Sequence, residues 1–328
     1  MLLSVTPNLC VERIVKIADF AIEQVHRVPP SQVRANAGGK GINVARVATQ
    51  MGCETRALAW VNERQKLWFV AQLEREGVPH DLVKTQAETR TCTNILDGRG
   101  GKTEIVEAGY PLSVADGTRL LEKVESYLPQ ADLLAVCGSY PPTLSTLSRS
   151  LMGNIEPPSP MNAHLTTLAH LAARHGKPIL IDGKGVPFEM ALRAKVPVWC
   201  IKPNLDEAAQ LLHRRIETEQ DELRALRDLR RLGPEIVMLS CGARGLYVAT
   251  SQGAWKVEPP QVEEISSVGS GDALVGAFCA IWLQDKNVLE AARWGVAAGA
   301  VNATQEYSGF CTREEIAVLV SQVVVREL

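Results

Sequence analysis

The chain has 328 residues, of which 46% are hydrophobic and 22% are charged, values typical of globular proteins. Its 35 basic and 37 acidic residues leave a net charge of −2, which favours neither a nucleic acid nor an anionic membrane as a partner. No apolar run reaches the roughly 18 residues of a membrane-spanning helix. The first residues lack the basic start and apolar core of a signal peptide, so we expect none.

Eight cysteines are scattered along the chain without a C-x-x-C pair. Structural zinc sites commonly place cysteines at such short spacings, so no zinc site is expected. Most of the cysteines stand in apolar runs, which favours buried, reduced thiols in a cytoplasmic protein.

Strand-like and helix-like segments alternate along most of the chain. Strands are predicted at residues 2–6, 56–60, 132–137, 178–182, 198–201, 235–240, 246–249 and 254–257, and helices at 65–76, 118–127, 163–174, 221–232, 273–283 and 289–303. This alternation predicts an α/β fold with a mainly parallel central sheet and helices on both faces. Residues 152–160, rich in Pro, Ser and Asn, are predicted to form a mobile surface loop.

Two strand-like segments, 10–17 and 91–107, do not fit the alternation and predict a small separate sheet over one edge of the large one. We therefore expect a large α/β nucleotide-binding and catalytic domain and a small β lid. The expected boundaries are 1–9, 35–88 and 111–328 for the large domain, and 10–34 and 89–110 for the lid.

The most informative run is 266–278, where two glycines flank Ser270 and an apolar, buried helix follows. Asp272 lies in the first turn of this helix. Free N–H groups and the helix dipole favour negative charge there, and glycines allow a phosphate to approach closely. An acid in this place can take a proton from a hydroxyl that attacks the phosphate. The alternative is that Asp272 only caps its own helix.

Further loops rich in glycine or proline lie next to other predicted elements. One, Gly38-Gly39-Lys40-Gly41, opens a helix, and others follow predicted strands at Gly138, Lys202 and Cys241. The carboxyl ends of parallel strands meet at one edge of a sheet, so we expect these loops to come together.

Five motifs resemble, in order, the signatures of the PfkB-type (ribokinase-like) carbohydrate kinases, over nearly the whole chain. They are Gly38-Gly39-Lys40-Gly41-Ile42-Asn43-Val44-Ala45, Gly138-Ser139-x-Pro141, Lys202-Pro203-Asn204-x-x-Glu207, Ser240-x-Gly242-x-x-Gly245 and Val268-Gly269-Ser270-Gly271-Asp272. The resemblance implies a ribokinase-like fold and a kinase that uses ATP and Mg²⁺.

Within this family the chain is most similar to the phosphohexose branch, which contains 1-phosphofructokinase, the minor 6-phosphofructokinase (6-phosphofructokinase II) and tagatose-6-phosphate kinase. Three features carry this similarity: the start Thr6-x-Asn8, Lys40 within the glycine loop, and Thr89-Arg90 before a lid strand. The branch implies a hexose phosphate as acceptor and a hexose bisphosphate as product.

The resemblance assigns roles to the last motif. Asp272 would be the general base, and the amides of Gly269, Ser270 and Gly271 would stabilise charge on the transferring phosphoryl group. Asn204 and Glu207 would hold Mg²⁺ through waters, because Mg²⁺ keeps much of its hydration shell. The alternative for that pair is an ordinary helix start with an acid in its first turn. The residues expected around the nucleotide are Lys202, Asn204, Ser240, Gly242 and Gly245.

On the acceptor side, Gly38, Gly39, Asn43 and Ser139 would face the sugar. Arg suits a phosphate dianion through its two-pronged guanidinium, and a lysine also supplies a positive charge. The candidates are Lys40, Arg90 and Arg27, with solvated surface charges as the alternative.

The chain departs from the branch pattern at the position where an Asp usually binds the sugar hydroxyls. Glu12 aligns there, one methylene longer, and Leu9 replaces the proline of that motif.

Three functions remain open at this point. The first is a hexose-phosphate kinase, the second a kinase of an unphosphorylated sugar or nucleoside, and the third a catalytically silent sugar-binding or regulatory protein. A Rossmann dehydrogenase is not expected, because no G-x-G-x-x-G follows the first strand. Exposed edges of the small sheet predict a homodimer that pairs through the lid.

Overall fold

The structure, a computed structural model, describes residues 1–98, 101–142 and 160–328. All but the last residue of the predicted surface loop at 152–160 lie outside the described residues.

Fourteen strands and ten helices are found in the described residues. The strands are β1 Leu2–Thr6, β2 Cys10–Ile17, β3 Val33–Gly38, β4 Thr55–Asn62, β5 His80–Thr85, β6 Arg90–Asp97, β7 Lys102–Val106, β8 Leu133–Cys137, β9 Ile179–Asp182, β10 Cys200–Ile201, β11 Ile236–Ser240, β12 Leu246–Ala249, β13 Ala254–Glu258 and β14 Val324–Glu327. The helices are α1 Lys40–Gln50, α2 Lys66–Arg75, α3 Val114–Tyr127, α4 His164–Arg174, α5 Val186–Arg193, α6 Leu205–Leu211, α7 Glu219–Arg231, α8 Ser270–Asp285, α9 Val288–Ala303 and α10 Arg313–Val320.

The larger sheet has the strand order β14-β13-β12-β11-β10-β9-β8-β1-β4-β5 in the described part of the chain. Every pair from β11 to β5 is parallel, whereas β11 to β14 pair in antiparallel fashion. The predicted α/β fold with a mainly parallel sheet is confirmed. The edge strands β5 and β14 were not predicted.

Helices cover both faces of this sheet because successive strand residues point to opposite sides. Leu3 packs in one buried cluster with Leu120 of α3, whereas its neighbour Leu2 packs in another with Phe278 of α8. In the described ranges, no helix combines the length and apolar character needed to cross a bilayer.

A second, four-stranded sheet has the order β3-β2-β6-β7 and confirms the predicted small separate sheet. Its strand β3 crosses the boundary expected at residue 34, so residues 35–38 also belong to this sheet. The division into two domains stays a prediction. The small sheet contacts the segment after α9, where Lys16 pairs with Glu306 at 2.5 Å.

The parallel arrangement brings the predicted motifs together. Strands β1, β8, β9, β10 and β11 lie side by side, and their carboxyl ends share one edge of the sheet. The amino ends of α1 and α8 meet at the same edge, since Asn43 of α1 bonds Asp272 of α8.

Candidate active site

Helix α8 begins after a turn that requires glycine. Gly269 has a φ of 80°, in the left-handed region that favours glycine, and a Cβ there would lie 2.5 Å from Cβ of Ser308. The amide of Ser270 donates to the carbonyl of Ser267 at 3.1 Å. The amides of Gly269 and Gly271 donate no hydrogen bond within the described residues, so these two remain available for an anion.

Asp272 is buried in the first turn of this helix, with 6% of its surface exposed. Its Oδ2 accepts a hydrogen bond from Nδ2 of Asn43 at 2.8 Å. Burial raises the pKa of Asp272 to about 7, against the opposing effect of Lys40. A carboxyl group with this pKa can accept and release a proton near neutral pH.

Lys40 lies among carboxylates at the same edge of the sheet. Its Nζ is 3.1 Å from Oδ1 of Asp182 and 3.2 Å from Oε1 of Glu207. Burial lowers the pKa of Lys40, but Asp182 and Glu207 outweigh that effect and hold the pKa above its ordinary value. The ammonium group is therefore charged throughout the neutral range.

Lys202 is the second cation of this cluster and is buried, whereas Lys40 is half-buried. Its Nζ lies 3.5 Å from Oδ1 of Asp182, and a Cβ on Gly271 would lie 3.3 Å from the same nitrogen. The lysine thus stands beside the free amide of Gly271, where negative charge on a phosphoryl group would be favoured.

Asn204 and Glu207 form a reciprocal cap at the start of α6. The amide of Glu207 donates to Oδ1 of Asn204 at 2.8 Å, and the amide of Asn204 donates to Oε2 of Glu207 at 3.0 Å. The helix-start alternative is therefore present in the structure. The cap uses Oε2 of Glu207, so the other carboxylate oxygen, Oε1, faces Lys40.

The donor set nearby suits magnesium held through water. Oδ2 of Asp182 is buried and has no hydrogen-bond partner among the described residues, and Glu207 supplies a second carboxylate that also pairs with Lys40. Mg²⁺ usually binds one or two carboxylates and keeps several waters. In the described ranges, no group of three or more His, Cys, Asp or Glu side chains has the spacing of a dedicated metal site.

The residues expected around the nucleotide have different local roles. Ser240 donates through its amide to the carbonyl of Pro203 at 3.0 Å, which joins the ends of β10 and β11. Gly242 is exposed and faces open space. Gly245 has a φ of 96°, and a Cβ there would lie 2.2 Å from the carbonyl oxygen of Val257, so its packing alone demands glycine.

Glu12 is buried in β2, and two hydrogen bonds hold one of its carboxylate oxygens. Its Oε1 accepts hydrogen bonds from Oγ of Ser308 at 2.7 Å and from Nδ2 of Asn94 at 3.2 Å. Burial raises the pKa of Glu12 above its ordinary value. Gly38 packs against this side chain, because a Cβ on Gly38 would lie 2.7 Å from Cβ of Glu12.

Gly39 connects the small sheet to α1. Its φ is 114°, and a Cβ there would lie 2.7 Å from Cγ2 of Thr6. Only glycine fits this tight junction, which sets the positions of Lys40 and Asn43 on the first turns of α1.

Arg90 and Ser139 line a cavity of about 500 Å³. Arg90 donates through Nη1 to the carbonyl of Glu107 at 2.8 Å and through Nη2 to the carbonyl of Asn8 at 3.0 Å. These two bonds orient the guanidinium at the wall of the cavity, which Ser139 also lines. Lys40 does not line this cavity, and Arg27 is exposed on the segment between β2 and β3.

Sequence reasoning missed four buried residues that the structure brings to the site: Asp182, Asn94, Ser308 and Arg46. Asp182 had a usable signal, because it ends a predicted strand at the edge where the motif loops gather. The other three stand in no motif that was recognised.

Known proteins provide an independent comparison. A family model described as pfkB family carbohydrate kinase matches residues 9–315. Escherichia coli phosphofructokinase-2 in complex with fructose-6-phosphate has a TM-score of 0.82 and 23% identity, with 98% of each chain covered. A Thermotoga maritima protein described as a possible 1-phosphofructokinase has a TM-score of 0.85 and 22% identity, with 100% of this chain and 99% of that chain covered.

The likeness extends to a ribokinase. The Arabidopsis thaliana enzyme complexed with ribose and ATP has a TM-score of 0.74 and 17% identity, with 97% of this chain and 98% of that chain covered. At these identities the solved structures show a shared ribokinase-like fold, whereas the family model shows membership. The chain belongs to the pfkB family of carbohydrate kinases, phosphotransferases whose acceptor is an alcohol group.

Proposed function

We propose that this protein transfers the γ-phosphoryl group of ATP, with Mg²⁺, to a hydroxyl of a hexose phosphate and forms a hexose bisphosphate. The candidate acceptors are fructose-1-phosphate, fructose-6-phosphate and tagatose-6-phosphate. The observation that carries the proposal is Asp272, a buried acid with a pKa of about 7 at the start of a buried helix, beside free glycine amides and two lysines.

The chain's own residues supply most of the chemistry. Asp272 accepts the proton of the acceptor hydroxyl as the hydroxyl oxygen attacks the γ-phosphorus. The bond between the γ-phosphorus and the β,γ-bridging oxygen breaks in the same transfer, and ADP leaves with that electron pair. The amides of Gly269 and Gly271, with the ammonium group of Lys202, stabilise negative charge on the phosphoryl oxygens during transfer. When bound, Mg²⁺ neutralises charge on the phosphates of ATP, and Asp182 and Glu207 are the residues that would hold it through waters.

A phosphorylated acceptor is supported by the cavity at Arg90. Nη1 and Nη2 of Arg90 each donate to one carbonyl, and each of these nitrogens carries a second N–H group that a ligand could use. Ser139 adds a hydroxyl to the same cavity. A sugar phosphate offers the anionic oxygens that such donors recognise. Escherichia coli phosphofructokinase-2, which shares this fold, has been solved with fructose-6-phosphate.

The test is ADP release with a panel of acceptors. The protein is assayed with ATP and Mg²⁺ against the three hexose phosphates and against fructose, tagatose, ribose and adenosine. We expect kcat/KM for one hexose phosphate to exceed that for its unphosphorylated sugar by about a hundredfold or more. A preference for an unphosphorylated acceptor would contradict the proposal, and tight sugar binding without ADP formation at any Mg²⁺ concentration would support a silent binding protein.

Pairing of two copies through the small sheet is also proposed. All five residues of the edge strand β7 are exposed, and Ile105 and Val106 each expose more than half of their surface. Exposed apolar edge strands favour pairing with another chain. Sedimentation at micromolar concentration should show a dimer, and a monomer would reject this assembly.

The cytoplasm is the compartment that we propose for this protein. All eight cysteines are free thiols, and most are buried in the core. Reduced thiols are the usual state of cysteine in the cytosol.

A further inference from the structure

Arg46 is an arginine without solvent exposure, one turn after Asn43 in α1. Its Nε donates to Oε2 of Glu76 at 2.9 Å, and Nη2 lies 2.8 Å from the same oxygen. Nη2 also donates to the carbonyl of Ala37 at 2.6 Å. Nη1 donates to Oδ1 of Asn43 at 2.7 Å and to the carbonyl of Ser308 at 3.2 Å. Each of the five N–H groups of the guanidinium therefore has an acceptor.

This arrangement sets the orientation of the Asn43 amide. A guanidinium has donors and no acceptor, so the side of Asn43 that faces Arg46 must be the amide oxygen. The amide nitrogen then faces the other way and donates to Oδ2 of Asp272 at 2.8 Å. Without Arg46, the amide could turn and present its oxygen to the carboxylate.

The same guanidinium contacts the acceptor side of the site. Ser308, whose carbonyl accepts from Arg46, donates through Oγ to Oε1 of Glu12 at 2.7 Å. Ala37, the other carbonyl partner, lies in β3 of the small sheet. The buried side chain of Arg46 thus fixes the relative positions of Asn43, which bonds Asp272, of Ser308, which bonds Glu12, and of strand β3.

We propose that Arg46 is a positioning residue for phosphoryl transfer, which orients Asn43 toward Asp272 and ties that pair to the small sheet through Ala37 and Ser308. This inference rests on the proposed function and deepens it. Arg46 itself touches neither reacting group.

The proposal has a consequence for pH dependence. An N–H donated to a carboxylate favours its ionised form, and the bond from Asn43 lowers the pKa of Asp272 against the larger effect of burial. The other charged groups that face Asp272 are Lys40 and Lys202, which favour ionisation, and Asp182, which opposes it. None of these three groups is a hydrogen-bond partner of Arg46, so a change in the pKa of Asp272 would report the Asn43 bond.

The test compares Arg46→Met and Arg46→Lys with Arg293→Met. Arg293 is a half-buried control on α9, whose Nη1 likewise pairs with a glutamate, Glu290, at 2.8 Å and whose Nη2 donates to the carbonyl of Val320. Each variant is measured for thermal stability, for kcat as a function of pH, and for the titration of Asp272 by ¹³C NMR of labelled aspartate carboxyls, assigned with Asp272→Asn.

We expect Arg46→Met to move the Asp272 midpoint and the acid limb of kcat to higher pH, with kcat at pH 7 lowered about tenfold or more. Arg46→Lys keeps the charge but cannot reach all four partners. It should therefore move the Asp272 midpoint and the acid limb of kcat in the same direction as Arg46→Met does, but by a smaller amount. Arg293→Met should lower stability only. If either Arg46 variant is folded and keeps the parent midpoint, Arg46 is merely structural.

Arg46→Lys provides the answer if Arg46→Met does not fold. A parent protein that releases no ADP would refute the proposed function, while the NMR titration would still decide the role of Arg46.

Discussion

Nζ of Lys40 lies 3.1 Å from Oδ1 of Asp182, so the first glycine loop is tied to the carboxyl end of β9. Arg90, another cation expected for the acceptor phosphate, lines a cavity together with Ser139, and Lys40 does not line it. The two cations therefore have different surroundings, and their loss should affect different kinetic constants.

Lys40→Met is expected to lower kcat about a hundredfold, with the KM for the acceptor nearly unchanged. The substitution leaves the carboxylates of Asp182 and Glu207 without their shared counter-charge, and they would then repel the phosphates. Steady-state kinetics with both substrates varied would measure this, with Lys84→Met as a surface control because Lys84 pairs with the exposed Glu63. A rise confined to the acceptor KM would instead put Lys40 on the acceptor phosphate.

Arg90→Ala should raise the KM for the hexose phosphate about tenfold or more and change the KM for ATP much less. Arg90→Lys should recover part of the loss, since a lysine keeps the charge without the planar fork. Arg75→Ala, which removes an exposed arginine of α2, is the control. An acceptor KM equal to that of the parent would remove Arg90 from the binding site.

The pKa of Asp272, about 7, predicts that kcat/KM rises with pH through this region, because only the ionised form accepts a proton. A pH–rate profile of the parent protein measures it. If kcat/KM stops rising below pH 5, Asp272 either keeps its ordinary pKa or is not the base.

The same shift predicts an effect on stability. The folded-state pKa lies above the ordinary value of 3.8, so the folded protein binds this proton more tightly than the unfolded chain. The resulting stabilisation is present at pH 3 to 4 and is lost as the pH rises to about 7. The difference in unfolding free energy between Asp272→Asn and the parent should therefore depend on pH. We expect this difference to favour the variant by on the order of a few kcal/mol more at pH 8 than at pH 4. Denaturant titrations at both pH values would measure the difference, and an equal effect at both would contradict it.

Glu207→Gln is expected to raise the Mg²⁺ concentration needed for half-maximal activity about tenfold. A glutamine can still cap α6, so the substitution removes charge while it keeps the helix start. Glu315→Gln provides a matched control, because Glu315 forms the same reciprocal cap with Thr312 at the start of α10. If both variants keep the parent Mg²⁺ dependence, Glu207 serves the helix and not the metal.

The central strands could be predicted because they are short, continuous apolar runs bounded by turn residues. The edge strand β5, His80–Thr85, has Asp81 and Lys84 among its apolar residues, so its sequence lacks the pattern of a buried strand. Strand β14 is four residues long and half charged, which leaves no periodicity to detect.

The motif loops could likewise be placed at one edge of the sheet, yet their internal contacts could not. Lys40 and Asp182 are 142 positions apart, and nothing local indicates that they pair. An arginine on a helix, such as Arg46, is normally expected to be exposed. Its burial depends on Glu76, Ala37 and Ser308, which meet only in the folded chain.

The most direct test of the central claim is turnover by Asp272→Asn with the hexose phosphate that the acceptor panel selects. Asparagine keeps the shape of the side chain but cannot act as a base, so we expect kcat to fall about a thousandfold, with ATP binding within threefold of the parent. Turnover within tenfold of the parent would show that another group takes the proton and would contradict the assignment of Asp272.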